Sequence, residues 1–237
     1  MLTFDNLEIA QGDFRLTANF AVQPGGIIAV MGPSGAGKST LLNAVAGFTP
    51  VTGGRIAWGQ TDLGPLSPQS RPIAMLFQDQ NLFPHLTAFE NAALALTPRR
   101  RLTTDQQAQV NAALARVDLA GFEGRKPGAL SGGQQSRVAL ARVMLQGKPL
   151  VLLDEPFAAL GPALKAEMLD LVAEITHSSG ATVMMVSHDP ADARRIADQV
   201  VLVADGVAHE PAPTAKLLDN PPPSLRDYLG DSVMRKT

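Results

Sequence analysis

Within eight residues, Gly32-Pro33-Ser34-Gly35-Ala36-Gly37-Lys38-Ser39, the chain places three glycines, a lysine and two hydroxyls. The order fits G-x-x-x-x-G-K-[ST], in which the glycines let the backbone curl so that successive N–H groups point at phosphate oxygens. In such a loop the Lys38 ammonium reaches the β- and γ-phosphates and the Ser39 hydroxyl ligates Mg²⁺, with Thr40 next to it in the phosphate-binding set. A second stretch, Leu130-Ser131-Gly132-Gly133-Gln134, opens a helical run and is of use only opposite such a cradle. Gly132 and Gly133 allow close backbone approach, and the helix that follows presents the positive end of its dipole to an anion.

Two carboxylates come next in the argument. Leu150-Val151-Leu152-Leu153 followed by Asp154-Glu155 puts both at the carboxyl end of a buried strand, where ligands sit in open parallel sheets. Asp154 suits the Mg²⁺ shell. Glu155, one residue on, faces elsewhere and is placed to polarise the water that attacks a γ-phosphate. Val186-Ser187-His188 ends another strand, which makes His188 a hydrogen-bonding sensor of the same phosphate. His85, His177 and His209 lack such a position and read as surface or packing residues. Gln78 ends the run Ile73-Ala74-Met75-Leu76-Phe77, where its amide would touch Mg²⁺ or the attacking water; standing alone it would read as a polar strand terminus.

These residues need a sheet to hold them. Gly26 to Met31 is a short continuous apolar run that reads as a buried parallel strand, and Ser39 to Ala46 has helical composition, so strand, glycine loop and helix come in the required order. Up to about Trp58, runs such as Phe14–Phe20 and Gly54–Trp58 alternate with Gly and Pro turns and predict a β-rich layer beside the nucleotide. A polar, Pro-rich connection spans Gln60 to Pro72. From about Thr87 to Gln146 the pattern turns helical, and strands return at Leu150–Asp154, Thr182–Val186 and Val200–Val203, separated by helical stretches. The expected fold is α/β: a P-loop NTPase (RecA-like) parallel sheet core, with an N-terminal antiparallel β layer and an inserted α-helical subdomain. Residues 1–86 and 147–210 form the nucleotide-binding core, 87–146 the helical subdomain, and 211–237 a tail packed on or trailing from it.

Composition narrows the functional classes. A length of 237 residues with 45% hydrophobic content is ample for a core. The formal net charge of −2 gives no electrostatic reason for nucleic acid as a partner, and the lack of cysteine excludes disulfides, thiolate catalysis and Cys-based metal sites. Met1 to Glu8 has neither a basic n-region nor an apolar h-region, and no apolar run approaches the ~18 residues that span a bilayer. A membrane role is therefore expected through a partner. The run Arg99-Arg100-Arg101 reads as a solvated loop, with lipid headgroups or a permease as the alternative contact.

The glycine loop, Gln78, Leu130–Gln134, Asp154-Glu155 and His188 occur in the order and at the spacings of the ATPase subunits of ABC transporters, which the chain resembles over essentially its whole length. The resemblance implies a head-to-tail homodimer around two ATP molecules, in which Ser131, Gly132, Gly133 and Gln134 of one chain cap the γ-phosphate held by Lys38 of the other. It also implies a transmembrane permease, indirectly a periplasmic or surface solute-binding protein, and a place at the cytoplasmic face of the cell membrane. Within the family, Met75 to Thr87 is most similar to the ATPases of thiamine importers, with iron, sulfate, molybdate and polyamine importers close behind. The same region would meet a coupling helix of the permease, making Phe83 and Leu86 part of a socket; core packing is the competing reading of either residue. A soluble ABC ATPase would usually carry a coiled-coil insertion or two cassettes, and a P-loop GTPase an Asn-Lys-x-Asp motif. Neither signal is present. Two positions depart from the family pattern: the aromatic that stacks on adenine is missing near Gln11, where Phe14 is nearest, and Gly161 stands where the family usually has Asp.

Overall fold

The computed structural model describes residues 1–97 and 101–229; Arg99 and Arg100 of the basic run, and the end of the tail, lie outside that range. The chain opens with a hairpin, β1 (Leu2–Gln11) and β2 (Phe14–Val22), followed by β3 (Ile27–Met31) and α1 (Lys38–Ala46). β4 (Gly53–Trp58), β5 (Thr61–Asp62) and β6 (Ile73–Leu76) lead into α2 (Ala88–Ala93), α3 (Thr104–Arg116) and α4 (Gly132–Leu145). Then come β7 (Leu150–Asp154), α5 (Pro162–Ser179), β8 (Thr182–Val186), α6 (Pro190–Ile196) and β9 (Gln199–Ala204). The described chain closes with β10 (Val207–Ala208), β11 (Ala212–Pro213), α7 (Thr214–Asp219) and α8 (Pro223–Leu229).

Burial decides which strands sit where. β3 and β8 are buried at every position, as strands covered on both faces must be. Together with β9, β7 and β6 they form a parallel sheet in the order β9-β3-β8-β7-β6. β2, by contrast, alternates buried and exposed residues and pairs antiparallel with β1, which pairs antiparallel with β4 on its other side. The short β10 joins the two layers, parallel to β2 and antiparallel to β9. A core containing Phe4, Leu16, Leu41, Leu42, Leu152 and Val186 fills the space between the antiparallel layer, α1 and the parallel sheet. α4 and α5 cover the opposite face through Leu140, Val143, Met168 and Leu169.

The helical stretch is three helices with a small core of their own, containing Val110, Leu114, Val117, Val138 and Ala141. Each starts with a complete capping box: Thr87 with Glu90, Thr103 with Gln106, Ser131 with Gln134. In each, the hydroxyl accepts an otherwise orphaned N–H and the fourth residue returns the bond to the cap. The tail packs on the core. β11 pairs with β9, and Leu218 and Leu225 are buried with Met31, Val200 and Leu202.

Candidate nucleotide site

The parallel strands bring the predicted residues to one sheet edge. The glycine loop follows β3, Asp154 ends β7, His188 lies two residues past β8 and Gln78 two residues past β6. Since β6, β7, β8 and β3 are successive parallel neighbours, their carboxyl ends line one crevice.

The loop can be made only of glycine at its tightest points. Gly32 has φ 148°, and a Cβ there would lie 1.9 Å from the carbonyl oxygen of Val203. Gly37 has φ 104°, and its missing Cβ leaves room for the Phe14 ring, whose Cζ would be 2.5 Å away. The aromatic nearest Gln11 is thus packed under the loop, while Gln11 itself is exposed. Ser34 and Gly35 face solvent, Ala36 closes the turn with an N–H to the Pro33 carbonyl, and Ser39 and Thr40 begin α1. Unlike the three capping-box helices, α1 starts at Gly37 with no side-chain cap. Its first N–H groups therefore need an external acceptor, as a phosphate would be.

Lys38 is buried. Its Nζ donates to the carbonyls of Gly32 at 2.9 Å and Pro33 at 2.8 Å, which stretches the side chain back across the loop. Burial pulls its ammonium down from the ordinary lysine range, and the Glu155 and Asp154 carboxylates oppose that shift. Ser39 Oγ donates to Asp154 Oδ1 at 2.9 Å. Burial pushes the Asp154 carboxyl up, the Ser39 hydrogen bond pulls it back, and Glu155 adds to the rise. Two hard oxygen donors side by side, at the mouth of a phosphate loop, are the partial ligand set that Mg²⁺ accepts when phosphates and water complete its shell.

Glu155 has φ +44°, a left-handed conformation that turns the chain sharply after the strand. Asp154 faces Ser39, and on the turned backbone Glu155 stays at the same edge, its Oε2 3.4 Å from His188 Nδ1. Gln78 is exposed in the turn beyond β6, and its side chain makes no hydrogen bond among the described residues. Ser131 and Gly132 are exposed at the start of α4, with Gln134 in the capping box and Gly133 packed against Leu164, where a Cβ would meet Cδ2 at 2.4 Å. No hydrogen bond or ion pair ties these four residues to Lys38, Ser39, Asp154 or Glu155 of the same chain.

Sequence reasoning singles out none of three supports. Lys165 binds Asp189 at 3.1 Å and Asp192 at 2.8 Å, bracing the loop that carries His188. Arg142 on α4 donates to the Gln80 and Asn81 carbonyls at 2.8 Å each, gripping the segment after Gln78. Asn91, fully buried, accepts from the Phe83 N–H and donates to the carbonyls of Phe83, Leu86 and Thr87. An Asn inside an otherwise Ala-rich helix start was the available hint, since its side chain competes with helix hydrogen bonding. The segment held this way leaves Phe83 48% exposed and Leu86 half-buried. Phe83 lines a groove of about 690 Å³ with Phe48, Phe77 and Leu94, so exposure favours the surface reading of Phe83 over core packing.

A parallel sheet carrying a glycine loop, an uncapped helix and a strand-end carboxylate beside the loop's serine defines a P-loop nucleotide-binding cassette. The ABC transporter family model matches residues 16–158, and the chain belongs to that family. It is 59% identical to a thiamine import ATP-binding protein, ThiQ, of Ruegeria sp. (strain TM1040), and 60% identical to one of Cereibacter sphaeroides. Both alignments cover 97% of this chain and 100% of the relative. Among solved structures it is similar to the ATP-binding cassette MJ0796, in a dimeric post-hydrolysis state bound to ADP and Pi. That likeness has TM-score 0.77 and 29% identity, over 90% of this chain and 99% of the other. A second dimeric structure of that cassette, described as a bacterial ABC transporter cassette, gives TM-score 0.78.

Proposed function

We propose that this chain is the ATP-hydrolysing subunit of a thiamine importer, working as a head-to-tail homodimer on the cytoplasmic side of a membrane permease. The observation that carries the reading is the convergence of Lys38, the bare N-terminus of α1, the Ser39–Asp154 pair, Glu155 and His188 at one sheet edge. The relatives named as thiamine import proteins at 59–60% identity support the cargo. The cassette itself has no task in choosing the solute, which falls to the permease and the solute-binding protein.

Each residue then has a role that its surroundings support. Residues 32–40 cradle the phosphates with backbone N–H groups, and Lys38 supplies a cation held in place by two carbonyls rather than one free to swing. Ser39, Asp154 and Gln78 would hold Mg²⁺, whose charge neutralises the β- and γ-phosphate oxygens. Glu155 orients and deprotonates the attacking water, and His188 beside it donates to the γ-phosphate. Ser131 to Gln134 reach the γ-phosphate of the partner's site, with the N-terminus of α4 aimed at it. The division of labour follows the expected units: 1–86 and 147–210 hold the nucleotide, and 87–146 present the capping motif to the other copy.

The test separates binding from chemistry. Glu155→Gln should lower ATP turnover by roughly 10²- to 10⁴-fold, the range for a lost general base, with ATP binding retained. Lys38→Ala should instead weaken ATP binding. Full turnover in Glu155→Gln would overturn the assignment.

A further inference from the structure

The last described helix ends beside the site. α8 is anchored by Leu225, fully buried with Leu218, Met31, Val200 and Leu202, and this anchoring brings Tyr228 to the loop between β8 and α6. Tyr228 is the chain's one tyrosine. Its hydroxyl donates to the backbone carbonyl of His188 at 2.8 Å. On either side of His188 the loop is tied elsewhere. Ser187 Oγ donates to Asp192 at 2.5 Å and accepts the Asp189 N–H at 3.1 Å, and Lys165 holds Asp189 from α5. At His188 itself, among the described residues, the Tyr228 bond is the one hydrogen bond made by the backbone.

The imidazole needs that restraint. Its side chain is 57% exposed and meets Glu155 only at 3.4 Å, so packing alone does not fix where it points. Misplacing a reacting group by about 1 Å can cost on the order of 10²-fold in rate. Burial and the neighbouring Glu155 and Asp189 carboxylates push the Tyr228 phenol above its ordinary range, which keeps it a hydrogen-bond donor at neutral pH and above.

We propose that Tyr228 is a positioning residue: its hydroxyl latches the His188 carbonyl, so that the C-terminal helix sets the rate of hydrolysis without touching the nucleotide. This rests on the assignment of hydrolysis to Glu155 and His188 made above. The latch predicts a change in kcat rather than in ATP affinity, because the two groups that form it, the Tyr228 hydroxyl and the His188 carbonyl, do not meet ATP.

The experiment is a double-mutant cycle in the full chain, with Tyr228→Phe, His188→Ala and the combination, read by single-turnover hydrolysis, ATP affinity and thermal unfolding. Phe keeps the ring that packs and removes only the donor. Tyr228→Phe should slow hydrolysis roughly 3- to 10-fold, the rate equivalent of one hydrogen bond, with ATP affinity unchanged. In the His188→Ala background the same change should have no further effect, since no imidazole remains to be positioned. Unchanged hydrolysis in Tyr228→Phe, or an equal loss in both backgrounds, would overturn the latch while leaving the site assignment standing. Full hydrolysis in His188→Ala would overturn the assignment of His188, and the latch with it.

Discussion

Glu155 is held at φ +44°, a conformation that costs an L side chain roughly 1–3 kcal/mol and persists only where its surroundings enforce it. The consequence is chemical. Two adjacent carboxylates on an extended strand would point to opposite faces, whereas here one meets Ser39 and the other His188 at the same edge. Gly161 is the opposite case. It caps α5 with φ −65° and ψ 157°, ordinary extended backbone, and a Cβ there would meet nothing within 4 Å. Gly161→Asp should therefore fold without strain and add a side-chain cap, raising stability by a few tenths of a kcal/mol. It should also tighten the ATP-bound dimer or raise turnover; a well-folded variant that does neither would show that the missing carboxylate is of no consequence. Asp189 gives a pH test. Burial alone would raise its carboxyl, but the Ala191 N–H, Lys165 and His188 together hold it below the ordinary range. A depressed carboxyl stabilises the fold above its unfolded value of about 3.8 and loses that contribution as pH falls through the folded one. Asp189→Asn keeps the cap and drops the charge, so its stability deficit by denaturant titration should be full at pH 7 and shrink towards pH 3. A deficit independent of pH would deny the charge any role.

At the scale of elements, α4 does two things at once. Its N-terminus carries Ser131 to Gln134, and ten residues on, Arg142 grips the Gln80–Asn81 turn that leads to the exposed Phe83. A push at the groove is thus linked by hydrogen bonds to the helix that would cap the partner's nucleotide. Phe83→Asp and Asn91→Ala should divide accordingly. The first puts a charge at a half-exposed position and should leave the isolated chain folded and hydrolysing while uncoupling transport. The second removes four hydrogen bonds made by a buried side chain, although the Phe83 and Thr87 carbonyls keep backbone N–H donors, and should cost about 1–3 kcal/mol and several degrees of thermal midpoint. Unfolding in Phe83→Asp would mark that residue as core and end the socket reading.

The elements also show what could be read from the chain beforehand. Strands such as Ile27–Met31 and Leu150–Asp154 were legible because a strand buried on both faces is a continuous apolar run, and the phosphate loop because its chemistry is local in sequence. The two-residue strands β10 and β11 were not legible, nor were the short helices α7 and α8 in a Pro-rich tail, because pairing with β9 and burial of Leu218 and Leu225 create them. For the same reason the motifs pointed to Lys38, Ser39, Asp154 and Glu155, while Lys165, Arg142 and Tyr228 came to light only through their distant partners.

The whole molecule is built for work done with others. Among the described residues no helix is long and apolar enough to cross a membrane. Under the proposed function, the groove that Phe83 lines is the surface offered to a permease. The site proposed above is likewise divided: the phosphate cradle lies on the parallel sheet, and Ser131 to Gln134 on a helical unit with its own core, with no hydrogen bond or ion pair between them among the described residues. Two copies in opposite orientation would complete two sites, and ATP would be the material that joins them. Sedimentation of Glu155→Gln with Mg²⁺ and ATP tests this most directly, because the bound nucleotide is then not consumed. The account predicts a monomer without nucleotide and a dimer with it, reverting when Ser131 is replaced by a bulky residue. A mass unchanged by ATP, in a protein that binds it, would contradict the shared site.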